Sequence, residues 1–396
     1  MSETERLYYN DCYLREFDAR LAHVEPEAQG FRVYLNRTAF YPDSGGQPTD
    51  RGTLAGIPVL EVVDEGAAIA HLLERAPEDE TVRGEIDWRR RFDHMQQHTG
   101  QHVLSAAFEK TGSYKTVSFH LGSEVSSIDL DSDRVGRRQI EDAENLANQV
   151  VFENRPVRIF FQPAAAASQM DLRKPTYREG DVRLVEVEDF DLSACGGTHV
   201  SRSGSVGLIA VRKFERLKGM TRVEFVSGGR TLEAARRDYQ ALDESARLFS
   251  APLEKVPDMI RKQSEEFRNS ERARAKLVER LAESMAVDLW RAAKENAGKR
   301  ILRQIFPAED SMLAKMLAHA AAKQPAAVAL LAVKGKPTSL FFSQSTGGSL
   351  NMGAILKETV TQLGGKGGGA RDFAQGGGID ESRLEEALNC AEKLVG

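Results

Sequence analysis

Cysteine is scarce in this chain, with three in 396 residues. Three thiols build no disulfide framework, and such a protein suits a reducing compartment. Long apolar runs are missing as well. The longest, residues 326–333, is far too short to span a bilayer and reads as a buried strand. The opening MSETERLYYNDC has neither a basic n-region nor an apolar core, so no secretory signal is visible. There is no surplus of positive charge: the net charge is -5, which argues against indiscriminate nucleic-acid binding but leaves room for a local basic surface. With 41% hydrophobic and 29% charged residues, the composition predicts a cytoplasmic, globular protein with no membrane partner. Its length allows two to four domains.

Against this scarcity, four of the eight histidines and three cysteines stand in two matched pairs. They are His98-Thr-Gly-Gln-His102 and Cys195-Gly-Gly-Thr-His199. In a helix each pair sits at i and i+4, on one face. Imidazole nitrogens and one thiolate form a ligand set that suits tetrahedral zinc. The alternative is two ordinary helical histidines and a small core thiol. Residues 92–110 place Met95, Val103, Leu104, Ala107 and Phe108 at helical intervals, so the histidines can project from a helix whose stripe packs inward. FDLSACGGTHVSRSGSVG reads as a loop, in which Gly196 and Gly197 let the backbone fold tightly. Thr99 follows the first histidine where a metalloprotease H-E-x-x-H needs glutamate. Cys12 and Cys390 have no comparable partners.

Along the chain the expected fold is α+β and multidomain. Residues 1–90 form a β-rich, barrel-like domain or sandwich, carrying the loop FYPDSGGQP at 40–48. Residues 91–228 form an α+β zinc-binding domain, with a strand-like stretch at 116–130 and a helix at 137–154. Residues 229–300 are a helical hairpin or coiled-coil linker broken by Ser250-Ala-Pro252. Residues 301–396 form an α/β glycine-rich domain. There, LGGKGGG and AQGGG lack the Ser or Thr and the spacing of a P-loop. Gly367 and Gly368, beside Lys366 and Arg371, read either as a cradle for nucleic-acid phosphate or as a flexible loop.

The stretches HTGQHVLSAAF, SYKTVSFHLGSEVSSIDLD and LSACGGTHV followed by SGSVGLIAVRK resemble the editing domain of alanyl-tRNA synthetase, and still more its freestanding AlaX relatives. FYPDSGGQPTDRGTL is similar to the glycine-rich motif of the longer relatives. GGKGGGARDFAQGGG resembles the DHH-associated glycine-rich domain of the synthetase. The resemblance begins almost at residue 1, which implies a stand-alone editor of the long AlaX form rather than an alanine-activating enzyme.

The resemblance implies a zinc-dependent, trans-acting deacylase of mischarged alanine tRNA carrying serine, or glycine. It makes His98, His102, Cys195 and His199 the zinc ligands. His98 and His102, with Thr116 and His120, are the catalytic candidates. Gly45, Gly46, Gln47, Gln101 and Ser118 are candidates for the substrate pocket. Gln101 stands where synthetase editing domains commonly carry threonine. Lys366, Gly367, Gly368 and Arg371 are candidates for tRNA contact, and the linker or C-terminal domain for pairing two chains. A zinc ion there either activates water, polarises the ester, or anchors the terminal adenosine or amine. A non-catalytic tRNA-binding module with structural zinc remains open, as does a deacylase for another tRNA such as Ser-tRNA(Thr).

Overall fold

The computed structural model describes residues 3–28, 30–176 and 180–396. They pack as two compact units, 1–244 and 245–396.

The first unit begins with a closed six-stranded barrel. Its strands are β1 (Glu16–Glu27), β2 (Gly30–Leu35), β3 (Gly52–Leu54), β4 (Ile57–Asp64), β5 (Ile69–Leu73) and β6 (Thr81–Ile86), in the order β1-β2-β5-β4-β3-β6. Alternation drives closure: β6 reads exposed-buried throughout, and inward residues such as Phe17, Val33, Leu54, Val59 and Val82 fill the core. The 40–50 loop leaves the barrel between β2 and β3.

Helix α1 (Trp88–Gly112) follows, capped by the Asp87 carboxylate, which accepts the Arg90 N–H at 3.1 Å. The guanidinium of Arg91 and the carboxylate of Asp50 are both fully buried and hydrogen-bonded to each other. Arg91 also donates to the carbonyls of Cys12 and Ala39, at 3.0 and 2.6 Å. Removing one member of such a pair typically costs about 3–5 kcal/mol. The pair pins the first turn of α1 to the barrel loop and so sets the height of His98.

Around α1 lie β7 (Thr116–Leu121), β8 (Ser126–Leu130), α2 (Arg137–Glu153), β9 (Val157–Pro163), β10 (Asp181–Val187), β11 (Asp191–Ala194), β12 (Ile209–Leu217) and β13 (Met220–Ser227). The strand-like 116–130 stretch is thus two antiparallel strands, part of a sheet ordered β12-β13-β8-β7. A second sheet, β9-β10-β11, leads directly to Cys195. Met95, Leu104 and Phe108 of α1 share one core with Ala143 and Val150 of α2 and with Ile128, Val223 and Phe225 of the first sheet. Helix α3 (Gly229–Phe249) starts in this unit, and Ser250 in a left-handed conformation (φ 49°) ends it.

The second unit contains α4 (Val256–Ala292), β14 (Lys299–Phe306), α5 (Ser311–Ala321), β15 (Ala327–Val333), β16 (Ser339–Gln344), α6 (Met352–Thr361), β17 (Lys366–Gly369), β18 (Phe373–Gly377) and α7 (Leu384–Val395). Its sheet runs β14-β15-β16-β18-β17, with residues 295–296 on the β14 edge. Every residue of β15 is buried. Val328, Leu330 and Ala332 face α6 and α7, while Ala327, Ala329, Leu331 and Val333 face α5 and the end of α4. Ile260, Phe267, Leu277 and Leu281 of α4 are exposed.

The glycine-rich segment requires a correction. It is not a flexible loop: Lys366–Gly369 is an edge strand paired antiparallel with Phe373–Gly377. Helix α6 lies so close that a Cβ on Gly353 would sit 2.5 Å from the Gly369 carbonyl oxygen. Small residues are needed here for packing.

Candidate metal centre

Helix α1 presents His98 and His102 one turn apart, and the turn after β11 brings Cys195 and His199 to meet them. Their donor atoms all lie within 4.8 Å of one another, with the histidines buried and Cys195 half-buried. Cys195 Sγ is 3.4 Å from His98 Nε2 and 3.3 Å from His199 Nε2. A tetrahedral ion with bonds of about 2.0 Å to nitrogen and about 2.3 Å to sulfur needs such edges to be about 3.5 Å. The four residues can hold a metal ion. Gly197 makes the approach possible, because a Cβ there would come within 2.1 Å of His98 Cε1.

Each histidine is oriented through its other nitrogen. His98 Nδ1 donates to Gln47 Oε1 at 2.9 Å, His102 Nδ1 to Asp191 Oδ2 at 3.0 Å, and His199 Nδ1 to Thr99 Oγ1 at 3.1 Å. These bonds leave all three Nε2 atoms for the centre. The supports are themselves held. Gln47, fully buried, also bonds the Thr198 N–H and hydroxyl at 3.1 and 2.9 Å. Asp191 accepts from Arg173 Nε at 2.6 Å and from Ser193 Oγ at 3.1 Å. The Thr99 hydroxyl accepts the Val200 N–H at 3.2 Å.

The electrostatics favour a cation. Burial alone would raise the Cys195 thiol, but the neighbouring His98 and His199 charges, with hydrogen bonds from His102 and His199, hold it well below its usual value. Burial lowers His102, yet its bonds to Asp191 and Cys195 outweigh this and bring it to about 9. Burial drives His199 down to about 3. The cluster thus sets a thiolate and, behind His102, the Asp191 carboxylate among buried imidazoles. A cation at the centre would balance that negative charge.

The other sequence candidates fall in different places. Gly45 and Gly46, both at positive φ (58° and 81°), form the turn from Ser44 to Gln47 that aims the glutamine at His98. Gly45 lines a cavity of about 50 Å³ together with Cys195, Gly196, Gly197, Tyr8 and Tyr41. Tyr8 is fully buried and its hydroxyl has no partner. Gln101 is buried and donates to Ser105 Oγ at 2.8 Å; the buried Thr116 hydroxyl donates to the same atom at 2.8 Å. Ser118 and His120 are exposed on β7, and Ser118 donates to Asp129 at 2.7 Å. The intervening Phe119 lies on the opposite face, its ring 5.4 Å from that of His98. Lys366 and Arg371 are exposed in the second unit.

Sequence reading missed Thr99, Asp191, Arg173, Ser105 and Phe119. Thr99 and Asp191 had a faint signal, lying inside or four residues ahead of the ligand motifs. The others had none.

This arrangement, imidazoles and a thiolate converging beside an editing-type α+β layer, defines a tRNA-synthetase accessory-domain class. Residues 182–224 match the family model of the threonyl and alanyl tRNA synthetase second additional domain, and residues 298–396 that of the DHHA1 domain. The alanyl-tRNA editing protein AlaX-L of Pyrococcus horikoshii is 31% identical over 98% of both chains. The alanine–tRNA ligase of Pyrococcus abyssi is 31% identical over all of this chain, which spans 44% of the ligase. The solved C-Ala domain of Aquifex aeolicus alanyl-tRNA synthetase aligns with 26% of this chain and 98% of its own length, at 24% identity and a TM-score of 0.25, too low to compare folds. The chain belongs to the AlaX family of alanyl-tRNA editing proteins. Among the described residues no helix is long and apolar enough to cross a membrane.

Proposed function

We propose that this protein hydrolyses the ester bond of alanine tRNA mischarged with serine or glycine, at a zinc centre formed by His98, His102, Cys195 and His199. The observation that carries the reading is the convergence of these four donors, each imidazole held by its own partner, in a chain alike to AlaX-L over nearly its whole length. One thiolate and three neutral imidazoles are the donors zinc favours. Bound zinc supplies Lewis acidity to an ester carbonyl. In the overall reaction water adds its oxygen to the carbonyl carbon, the ester C–O bond breaks, and the ribose oxygen leaves with a proton.

The chain's own residues do the placing. Cys195 is the one donor that reaches the small cavity, so the aminoacyl group enters from the Gly45 and Tyr41 side. Gln101, Ser105 and Thr116 form one hydrogen-bonded unit beneath the helix turn that carries both histidines. Lys366 and Arg371 contact the tRNA backbone from the glycine hairpin.

A second reading has an observation in its favour. Four buried protein donors fill a tetrahedral shell, as in purely structural sites. That protein binds tRNA without hydrolysing it. Release of amino acid from Ser-, Gly- and Ala-charged alanine tRNA, with Ser-charged threonine tRNA as control, separates the two. The deacylase reading expects rapid loss of serine or glycine with alanine spared, and His102→Ala abolishing it together with bound zinc. No hydrolysis of any substrate, with zinc and tRNA both bound, establishes the structural site.

A further inference from the structure

A wide cleft of the first unit lies away from the four donors, at the N-terminal end of α1. It has a volume of about 750 Å³, and its walls include Trp88, Arg90, Phe92 and His94 of α1, Ser123 after β7, and Arg230 of α3.

Two side chains in it are unfinished. His94 is 3% exposed and makes no hydrogen bond among the described residues, and its Nδ1 is buried without a partner. Burial and the nearby Arg90 charge lower this imidazole to about 4, so it stands neutral as a donor of one N–H. An orphaned buried polar atom costs about 1–3 kcal/mol, so the side chain is held here at a local cost. Arg90 is half-buried, donates through Nε to the Thr49 carbonyl at 2.9 Å, and has no carboxylate partner among the described residues.

The charges are placed against the helix's interest. Positions 89, 90 and 91 are all arginine at the positive end of a 25-residue helix whose first turn has no acidic residue. A helix N-terminus favours anions there. Arg91 is neutralised by Asp50. The carboxylates near the cleft are otherwise engaged: Asp87 caps the helix, Asp93 grips Arg230 at 2.7 Å, and Glu233 lies 3.5 Å from exposed Arg89. Arg90 remains, next to His94.

Position links this cleft to the metal centre. Arg90, His94, His98 and His102 recur every four residues on one face of α1. His94 is therefore about 6 Å along the helix axis from His98. The Trp88 and Phe92 rings, 5.5 Å apart, form an aromatic wall of the kind on which bases stack.

We infer that this cleft binds a phosphodiester and base of the single-stranded 3′ end of an RNA, with Arg90 and His94 as the phosphate donors. The inference rests on the deacylase reading for its substrate, but its test does not. Binding of a fluorescent single-stranded RNA ending in CCA to the full chain is followed by anisotropy across a salt series. Inorganic phosphate and a blunt RNA hairpin serve as competitors. Zinc content verifies the fold of Arg90→Gln, Arg90→Lys and His94→Gln.

Arg90→Gln weakens binding about tenfold and reduces the log–log salt slope by about 0.7, the value for one contact to a single strand. Arg90→Lys keeps the slope, and His94→Gln weakens binding several-fold. In deacylation the loss falls on KM rather than kcat. Wild-type affinity and slope in Arg90→Gln overturn the inference. So does competition by phosphate as effective as by the single strand, which makes this a site for a free anion. If the RNA binds as described but no charged tRNA is hydrolysed, the cleft stands and the deacylase reading falls. If deacylation proceeds with KM unchanged in Arg90→Gln, the reverse holds.

Discussion

Asp191→Asn isolates the support of one ligand while leaving every metal donor in place. The carboxylate is 5% exposed and does two jobs: one oxygen accepts the His102 Nδ1 proton at 3.0 Å, the other accepts from Arg173 at 2.6 Å. Asparagine matches its shape but offers one oxygen. Turned toward His102, its NH2 group confronts the Arg173 guanidinium; turned the other way, it leaves His102 facing a donor. Either arrangement loosens the ring and removes the anion that makes His102 a better ligand. Losing such a partner typically costs 10- to 100-fold in metal affinity, or about 1.4–2.7 kcal/mol. Competition with a chromophoric chelator at fixed pH measures it, with Ser193→Ala as control because that hydroxyl touches Asp191 and no donor. Zinc affinity within threefold of wild type in Asp191→Asn would refute the claim that this bond orients His102.

Two further outcomes test the fold. Gly353→Ala, in the first turn of α6, gains at most about 1 kcal/mol of helix propensity on an open face; here the new Cβ meets the Gly369 carbonyl at 2.5 Å, so chemical denaturation should show a net loss of about 2 kcal/mol, and a gain would contradict the close packing. His71 is fully buried in the barrel, and burial lowers it from 6.5 to about 4 against the opposing bond to the Val33 carbonyl. The unfolded chain takes up this proton first as pH falls, so the stability is complete above 6.5 and drains away between 6.5 and 4, by about 3 kcal/mol. The difference between wild type and His71→Gln should show that slope in melting experiments; parallel curves would mean His71 is protonated in the fold.

The four candidate donors were legible because their residue types are rare and their spacing matches a helix turn. Thirteen prolines and 33 glycines punctuate the strands well enough for a β-rich start to be read from residues 1–90. The supports of the ligands were not legible. Gln47, read only as a pocket candidate, reaches His98 across 51 positions, and Asp191 is one of 59 acidic residues, so neither shows its role as a support until the barrel loop and β11 are folded against α1. Glycine has no side chain with which to betray a strand, and the 366–369 run read as a loop until pairing with β18 and the pressure of α6 decided it.

The sequence by itself determined which atoms can bind a metal, because donor chemistry resides in the side chain and helical spacing is local. It also determined the family, through the wording around those donors. Only the tertiary structure decided which nitrogen of each histidine faces the centre, which carboxylate balances it, and which cleft brings Arg90 beside the buried His94. Those properties depend on hydrogen-bond partners and burial contributed by segments far apart in the chain, and such distances exist only once the barrel, α1 and β11 have packed together.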